Sequence, residues 1–136
     1  MGLSASGSAR YVVAAMKAAR ALGAVTGCVT CVRGSALADA VDLPIVVEVG
    51  PEILAGSSRL KAGTATKLVL NMLSTAAMIR SGRTKGDLMV DLRPTNAKLR
   101  SRAIRMVRDE LGVDEDAART KLEASGWSVR RAIDAP

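Results

Sequence analysis

Over the first fifty residues, short β-branched apolar runs alternate with Ala-rich stretches of helical character. Leu3-Ser4-Ala5-Ser6-Gly7-Ser8 reads as the end of a strand running into a loop. Residues 9–22 (Val13, Ala14, Met16, Ala18, Ala21) predict a helix, with Gly23 as its C-terminal stop. Residues 24–32 are short, apolar and β-branched, which predicts a buried strand. Arg33-Gly34-Ser35 is a turn, and Ser35 is placed to N-cap a short helix ending at Val41. Residues 43–49 predict a further strand, with Pro44 near its start, where proline is tolerated. The order strand–helix–strand–helix–strand with short links predicts a parallel α/β sheet with right-handed crossovers. That sheet begins almost at Met1 and would present an open edge, so preceding strands are expected to be missing.

Gly50-Pro51 ends this alternation. Residues 58–80 predict a helix that is apolar nearly all round (Leu60, Leu68, Val69, Leu70, Met72, Leu73, Met78, Ile79). A helix without a polar face is expected to be buried on most sides, which is more cover than three strands supply. Gly82 to Gly86 reads as a loop and 87–93 as extended and irregular. An amphipathic helix opens at Pro94 or Thr95 and ends near Gly112. Two short helices follow, about 114–124 and 127–133, split by Ser125-Gly126; Asp114-Glu115-Asp116 suits a helix N-terminus. Trp127 is expected to anchor these last helices in a core. The expected division is residues 1–93, the α/β part, and 94–136, a helical tail.

Composition narrows the chemistry. The 136 residues are 49% hydrophobic, enough for a core, but hold one Trp, one Tyr and no Phe, so that core is aliphatic. There is no His, which excludes His-ligated zinc and Ser-His or Cys-His catalysis. Two Cys cannot build a four-cysteine metal site or a disulfide framework. No metal and no cofactor is expected. No apolar run reaches bilayer length, and the start lacks a basic region followed by an apolar stretch; a cytoplasmic protein without membrane association is the expectation. The net charge of +7 is concentrated in residues 51–111, a balance suited to phosphate groups or to a solvated basic face.

Four constellations carry candidate chemistry. Ser4-Ala5-Ser6-Gly7-Ser8 lies between a strand and a helix, where backbone N–H groups and Ser hydroxyls can hold a phosphate without a metal; an ordinary Ser/Gly loop is the alternative. Glu52, Ser57, Ser58, Arg59 and Lys61 cluster around a helix start. There the cations could neutralise a phosphate and Glu52 could act as a base or bind sugar hydroxyls, against N-capping by Ser57 or Ser58 with exposed cations. Cys28 and Cys31 have Cys-x-x-Cys spacing, but on a strand rather than at a helix N-terminus, so buried reduced thiols are expected. Lys98, Arg100, Arg102, Arg105 and Arg108 could form a nucleic-acid helix, yet no aromatic platform or recognition motif accompanies them; a packed helix with a basic outer face is expected, and no nucleic-acid partner.

The run from Gly50-Pro51-Glu52 through Gly56-Ser57-Ser58-Arg59-Leu60-Lys61 to Ser74-Thr75 strongly resembles the N-acetylmuramic acid 6-phosphate etherases, which are sugar isomerase (SIS) domain proteins. The match extends through Gly86-Asp87 and Asp91, Thr95-Asn96 and Arg102-Ala103, and backwards through Tyr11, Leu22-Gly23, Thr30-Cys31 and Gly34. It covers nearly the whole chain and corresponds to the C-terminal half of such enzymes. The resemblance implies a flavodoxin-like SIS fold, here partial, followed by a small helical bundle of UBA-like type, and a homodimer in the complete protein. It implies cleavage of the D-lactyl ether of N-acetylmuramic acid 6-phosphate to D-lactate and N-acetylglucosamine 6-phosphate, in peptidoglycan salvage. The implied route is elimination followed by water addition, with glutamates as acid and base and no metal.

By the same resemblance, Ser4, Ser6, Gly7 and Ser8 match the loop that cradles the sugar phosphate. Ser57, Ser58, Arg59 and Lys61 match the segment that closes over the ligand, and Glu52 stands where some SIS isomerases place a base. The chain departs from the pattern in lacking the family's first half, with its Gly-Thr-Ser-Gly-Arg loop and the two assigned glutamates. No catalytic residue is therefore assigned here, Glu52 is left a supporting role, and the chain alone is expected to be inactive as a lyase. Where the family has Gly-Arg-Thr-Pro-Tyr, this chain has Gly7-Ser8-Ala9-Arg10-Tyr11, so a threonine hydroxyl is lost at Ala9. The alternatives are a non-catalytic sugar-phosphate-binding module and a remnant that does not fold alone.

Overall fold

The computed structural model describes residues 1–135; Pro136, the last residue of the expected tail, lies outside them. The elements are β1 (Gly2–Leu3), α1 (Arg10–Ala21), β2 (Gly27–Thr30), α2 (Ala36–Asp39), β3 (Leu43–Val46), α3 (Lys61–Arg80), α4 (Ala97–Leu111), α5 (Glu115–Ala124) and α6 (Val129–Asp134). The fold is mixed α/β with a parallel sheet in the order β1-β2-β3, as the alternation of the first fifty residues predicts, and it is compatible with a partial SIS-type sheet. The chain divides into two compact units, Met1–Ser74 and Thr75–Pro136, with α3 running through the division.

In the first unit, Cys28 pairs with Gly2 on one side and with Pro44 on the other. Pairing continues past the strand ends, where Ser4 N–H donates to Val29 O (3.1 Å), Cys31 N–H to Ala5 O (2.9 Å) and Val47 N–H to Thr30 O (2.9 Å). The strands are shorter than the apolar runs at 24–32 and 43–49. Gly2 lets α1 approach closely: a Cβ there would lie 2.9 Å from both Met16 and Val12. Cys28, Leu37 and Val41 are buried, with Val12, Val13 and Met16 packed against them. The helix α1 ends in a Schellman-type closure, with Gly23 N–H to Arg20 O and Ala24 N–H to Ala19 O, and Gly23 in the left-handed region. Ser35 caps α2 as expected, accepting from Ala38 N–H.

The second unit builds its own aliphatic core from Val90, Ala103, Ile104, Val107, Ala118, Leu122, Val129 and Ile133. Each helix start is capped by a side chain: Asn96 accepts from Leu99 N–H, Asp114 from Ala117 N–H and Ser128 from Arg131 N–H. Trp127 packs against this core while only half-buried.

Two expectations for α3 change. It begins at Lys61 rather than 58, because residues 58–60 form a turn. It is also not buried on most sides: only Ala62 and Val69 are buried, and Leu68, Met72 and Ile79 are 49%, 63% and 55% exposed. A three-stranded sheet offers too little surface to cover a helix of 20 residues. Among the described residues no helix is long and apolar enough to cross a membrane.

Candidate functional site

The Ser4–Ser8 loop leaves the end of β1 and enters α1. Its shape is set by Gly7, which sits in the left-handed region (φ 65°) with its N–H donating to Ser4 O. A Cβ at Gly7 would lie 2.1 Å from Ser35 Oγ and 2.8 Å from Thr30 Oγ1, so only glycine fits between the loop and the start of α2. Gly7 O in turn accepts from Leu37 N–H. The buried Gly7 thus pins the loop, while Ser6 and Ser8 stay exposed with their hydroxyls 2.8 Å apart. Ser6 Oγ also accepts from Ser8 N–H.

Just beyond, the N-terminus of α1 has no side-chain cap. Its N-cap position is Ala9, the residue at which the resemblance notes a lost threonine. The first-turn N–H groups of α1 are therefore without a side-chain acceptor, in contrast to α2, α4, α5 and α6. Open N–H groups at a positive helix end are the arrangement that receives an anion.

Glu52 is placed differently from any local sequence expectation. Its Oε1 accepts from Ala62 N–H (2.9 Å) and its Oε2 from Lys61 N–H (3.0 Å), so it caps α3 from nine residues upstream. Neither Ser57 nor Ser58 caps the helix by a side-chain bond; Ser57 contributes its carbonyl to Leu60 N–H. The Ala62 N–H bond chiefly, with the Lys61 N–H and the Lys61 charge, holds the Glu52 carboxyl below its usual value. It is an ionised, oriented acceptor.

Strand ends and loops bring Ser4, Ser6, Glu52 and Ser58 together around one cleft of about 420 Å³, with Cys31 and Gly50 also lining it. Gly7 lies buried beneath, and Ser8 follows at the entry to α1. Arg59 and Lys61 are exposed and line a separate surface depression with Thr64 and Leu68. The expected grouping is thus split: the hydroxyls of the first loop meet Glu52 and Ser58, while the two cations stand on an adjoining surface. Cys31 also lines the cleft, where its Cys-x-x-Cys position on a strand predicted only a buried thiol. Burial, then the Glu52 charge, pushes its thiol up, and burial does the same for Cys28; both are free thiols. Ala9 is the sequence signal of the uncapped α1 start, whereas the Glu52 cap spans too much sequence to resemble a capping box.

No family model matches the chain. It is similar to curated proteins named N-acetylmuramic acid 6-phosphate etherase. The relative from Symbiobacterium thermophilum is 55% identical over 133 residues, 98% of this chain and 44% of the relative. That from Christiangramia forsetii is 50% identical over 135 residues, 99% of this chain and 49% of the relative. That from Gloeobacter violaceus is 53% identical over 133 residues, again 98% and 44%. The chain spans about half the length of these relatives. Over almost all of its residues the chain is thus similar to part of the length of N-acetylmuramic acid 6-phosphate etherases.

Proposed function

We propose that the chain supplies the phosphate-holding wall of an etherase acting on N-acetylmuramic acid 6-phosphate, a cytoplasmic carbon–oxygen lyase of the SIS type in peptidoglycan recycling. The observation that carries this reading is the cleft that joins the Ser4–Ser8 loop, next to an uncapped helix start, with an ionised Glu52. The sugar phosphate binds at Ser4, Ser6 and Ser8 on the loop that Gly7 shapes, against the open end of α1. The Ser58 hydroxyl donates to or accepts from the sugar, and the remaining lone pairs of Glu52 accept from its hydroxyls. Ser57, Arg59 and Lys61 belong to the segment flanking the ligand, where the two cations raise the local concentration of the dianion.

Glu52 is poorly suited to removing a proton in the reaction. Both its oxygens already accept helix N–H bonds, which lower its basicity. It positions, and the acid and base that carry elimination and water addition belong to the other part of the homodimeric protein. The test is a pair of measurements on the purified chain: calorimetric titration with N-acetylmuramic acid 6-phosphate, and D-lactate release. Saturable binding without D-lactate is expected. Absence of binding at millimolar ligand would overturn the phosphate-holding role, and D-lactate release would overturn the assignment of catalysis elsewhere.

A further inference from the structure

The second unit holds a cleft of its own, of about 470 Å³, lined by Arg83, Asp91, Arg93, Arg100 and Trp127 among others. It is within the size range of small-molecule sites. Its charges are not balanced. Asp91 is committed to Arg130, whose Nε lies 3.0 Å from its Oδ1, and stands 3.9 Å from Arg83. Arg130 also donates to Gly82 O. Arg93 and Arg100 are exposed and have no carboxylate within ion-pair distance among the described residues. The guanidinium of Arg100 instead stacks over the Trp127 ring, 4.9 Å from its centroid.

Trp127 is held there against local preference. Among the described residues it is the one non-glycine residue with positive φ (61°), following Gly126 at 63°. Its N–H donates to Leu122 O at 2.6 Å, which fixes the turn between α5 and α6. A glycine at this position would close the same turn without strain. An aromatic residue kept in a strained conformation in the lining of a basic cleft points to use of the indole. Guanidinium forks match phosphate and carboxylate oxygens, and an indole face suits a ring.

We propose that this cleft is a second ligand site, for a phosphate or carboxylate carried on a ring with an apolar face: Arg93 and Arg100 take the anion and Trp127 takes the ring. The proposal does not rest on the reading of the Ser4–Ser8 loop, which lies in the other unit. Trp127 is the sole tryptophan of the chain, so its fluorescence reports this cleft directly.

The full chain is titrated with N-acetylglucosamine 6-phosphate (ring and phosphate), N-acetylmuramic acid (ring and carboxylate), inorganic phosphate and N-acetylglucosamine, following tryptophan emission and, in parallel, calorimetric heat. The expected result is a saturable emission change with at least one ring-borne anion, at a midpoint about tenfold below that of inorganic phosphate, and none with the neutral sugar. Whichever ring-borne anion saturates tells phosphate from carboxylate as the natural group. Arg93→Gln, which leaves the stacked pair intact, and Arg100→Gln should each raise the midpoint about tenfold. Ser6→Ala should leave it unchanged. Absence of a saturable change with both ring-borne anions overturns the proposal, as does a change that survives both arginine variants or is lost with Ser6→Ala.

Discussion

Glu52 Oε1 accepts the backbone N–H of Ala62, closing the first turn of a helix that starts nine residues after the glutamate. This bond and its companion to Lys61 N–H tie the Gly50–Ser58 loop to α3 and fix one wall of the cleft. The same bonds satisfy donors that a helix start leaves open, and they keep the carboxylate charged at a positive helix end.

A pH dependence follows from that relationship. The folded state holds the Glu52 carboxyl below its ordinary value, and does the same for Asp42, chiefly through the Thr26 N–H and hydroxyl. Both contributions are fully present above the ordinary carboxylate range and are lost as pH falls through the depressed folded values. Thermal unfolding followed from neutral to acid pH should show Tm falling below about pH 5, where unfolded carboxylates begin to protonate. Glu52→Gln should lower Tm by a few degrees at neutral pH and flatten part of the acid limb. A variant with the wild-type acid limb would show that the cap carries no linked stability.

Gly7 offers a sharper test of the loop. An alanine there meets Ser35 Oγ at 2.1 Å and must also adopt a left-handed backbone. Gly7→Ala should cost about 2 kcal/mol or more in denaturant unfolding and weaken sugar-phosphate binding with it. Ser35→Gly in the same chain removes the closest clash but leaves the 2.8 Å approach to Thr30 Oγ1 and the backbone strain, and it replaces an N-cap at only a few tenths of a kcal/mol. The double variant should therefore recover part, not all, of the lost stability. Full recovery would mean that the conformation is unstrained.

The two cores should respond separately. Leu37 and Leu122 are fully buried, one beneath the sheet and one inside the helical unit. Leu37→Ala and Leu122→Ala should each cost about 2–5 kcal/mol. Hydrogen exchange is the measurement: loss of protection should fall on β2 and α2 in the first case, and on α4 and α6 in the second. Equal loss throughout in both variants would show one cooperative unit.

Local signals were the legible part. Gly23, Ser35 and Asp114 mark helix ends through nearest-neighbour chemistry, and the β-branched runs mark the strands of a parallel sheet, whereas α4 starts after an Asn96 cap and not at Pro94 or Thr95. The family resemblance was readable from an unbroken motif run and is borne out by relatives up to 55% identical. Three things were not legible, each because it depends on distant residues. The cap of α3 comes from Glu52 rather than from Ser57 or Ser58. The cleft takes Cys31 and leaves Arg59 and Lys61 outside, a matter of which way loops turn after the strands. Arg100 meets Trp127, an aromatic partner too far along the chain for composition to pair with it.

The exposed side of α3 sets the last prediction. Leu68 and Met72 are one helical turn apart, and both are exposed, as is Leu73. Single exposed apolar residues are ordinary, but a stripe of them on one helix favours association. The purified chain should therefore show concentration-dependent association in sedimentation velocity. Leu68→Lys with Met72→Lys should leave unfolding stability within about 0.5 kcal/mol, since neither side chain is in a core and lysine is a good helix former. The same pair should shift the chain to monomer. A wild-type chain that stays monomeric at all accessible concentrations would show that this stripe is too small to drive association. A double variant that associates as before would place the contact elsewhere, with Ile53 and Leu54, which are also exposed, next to test.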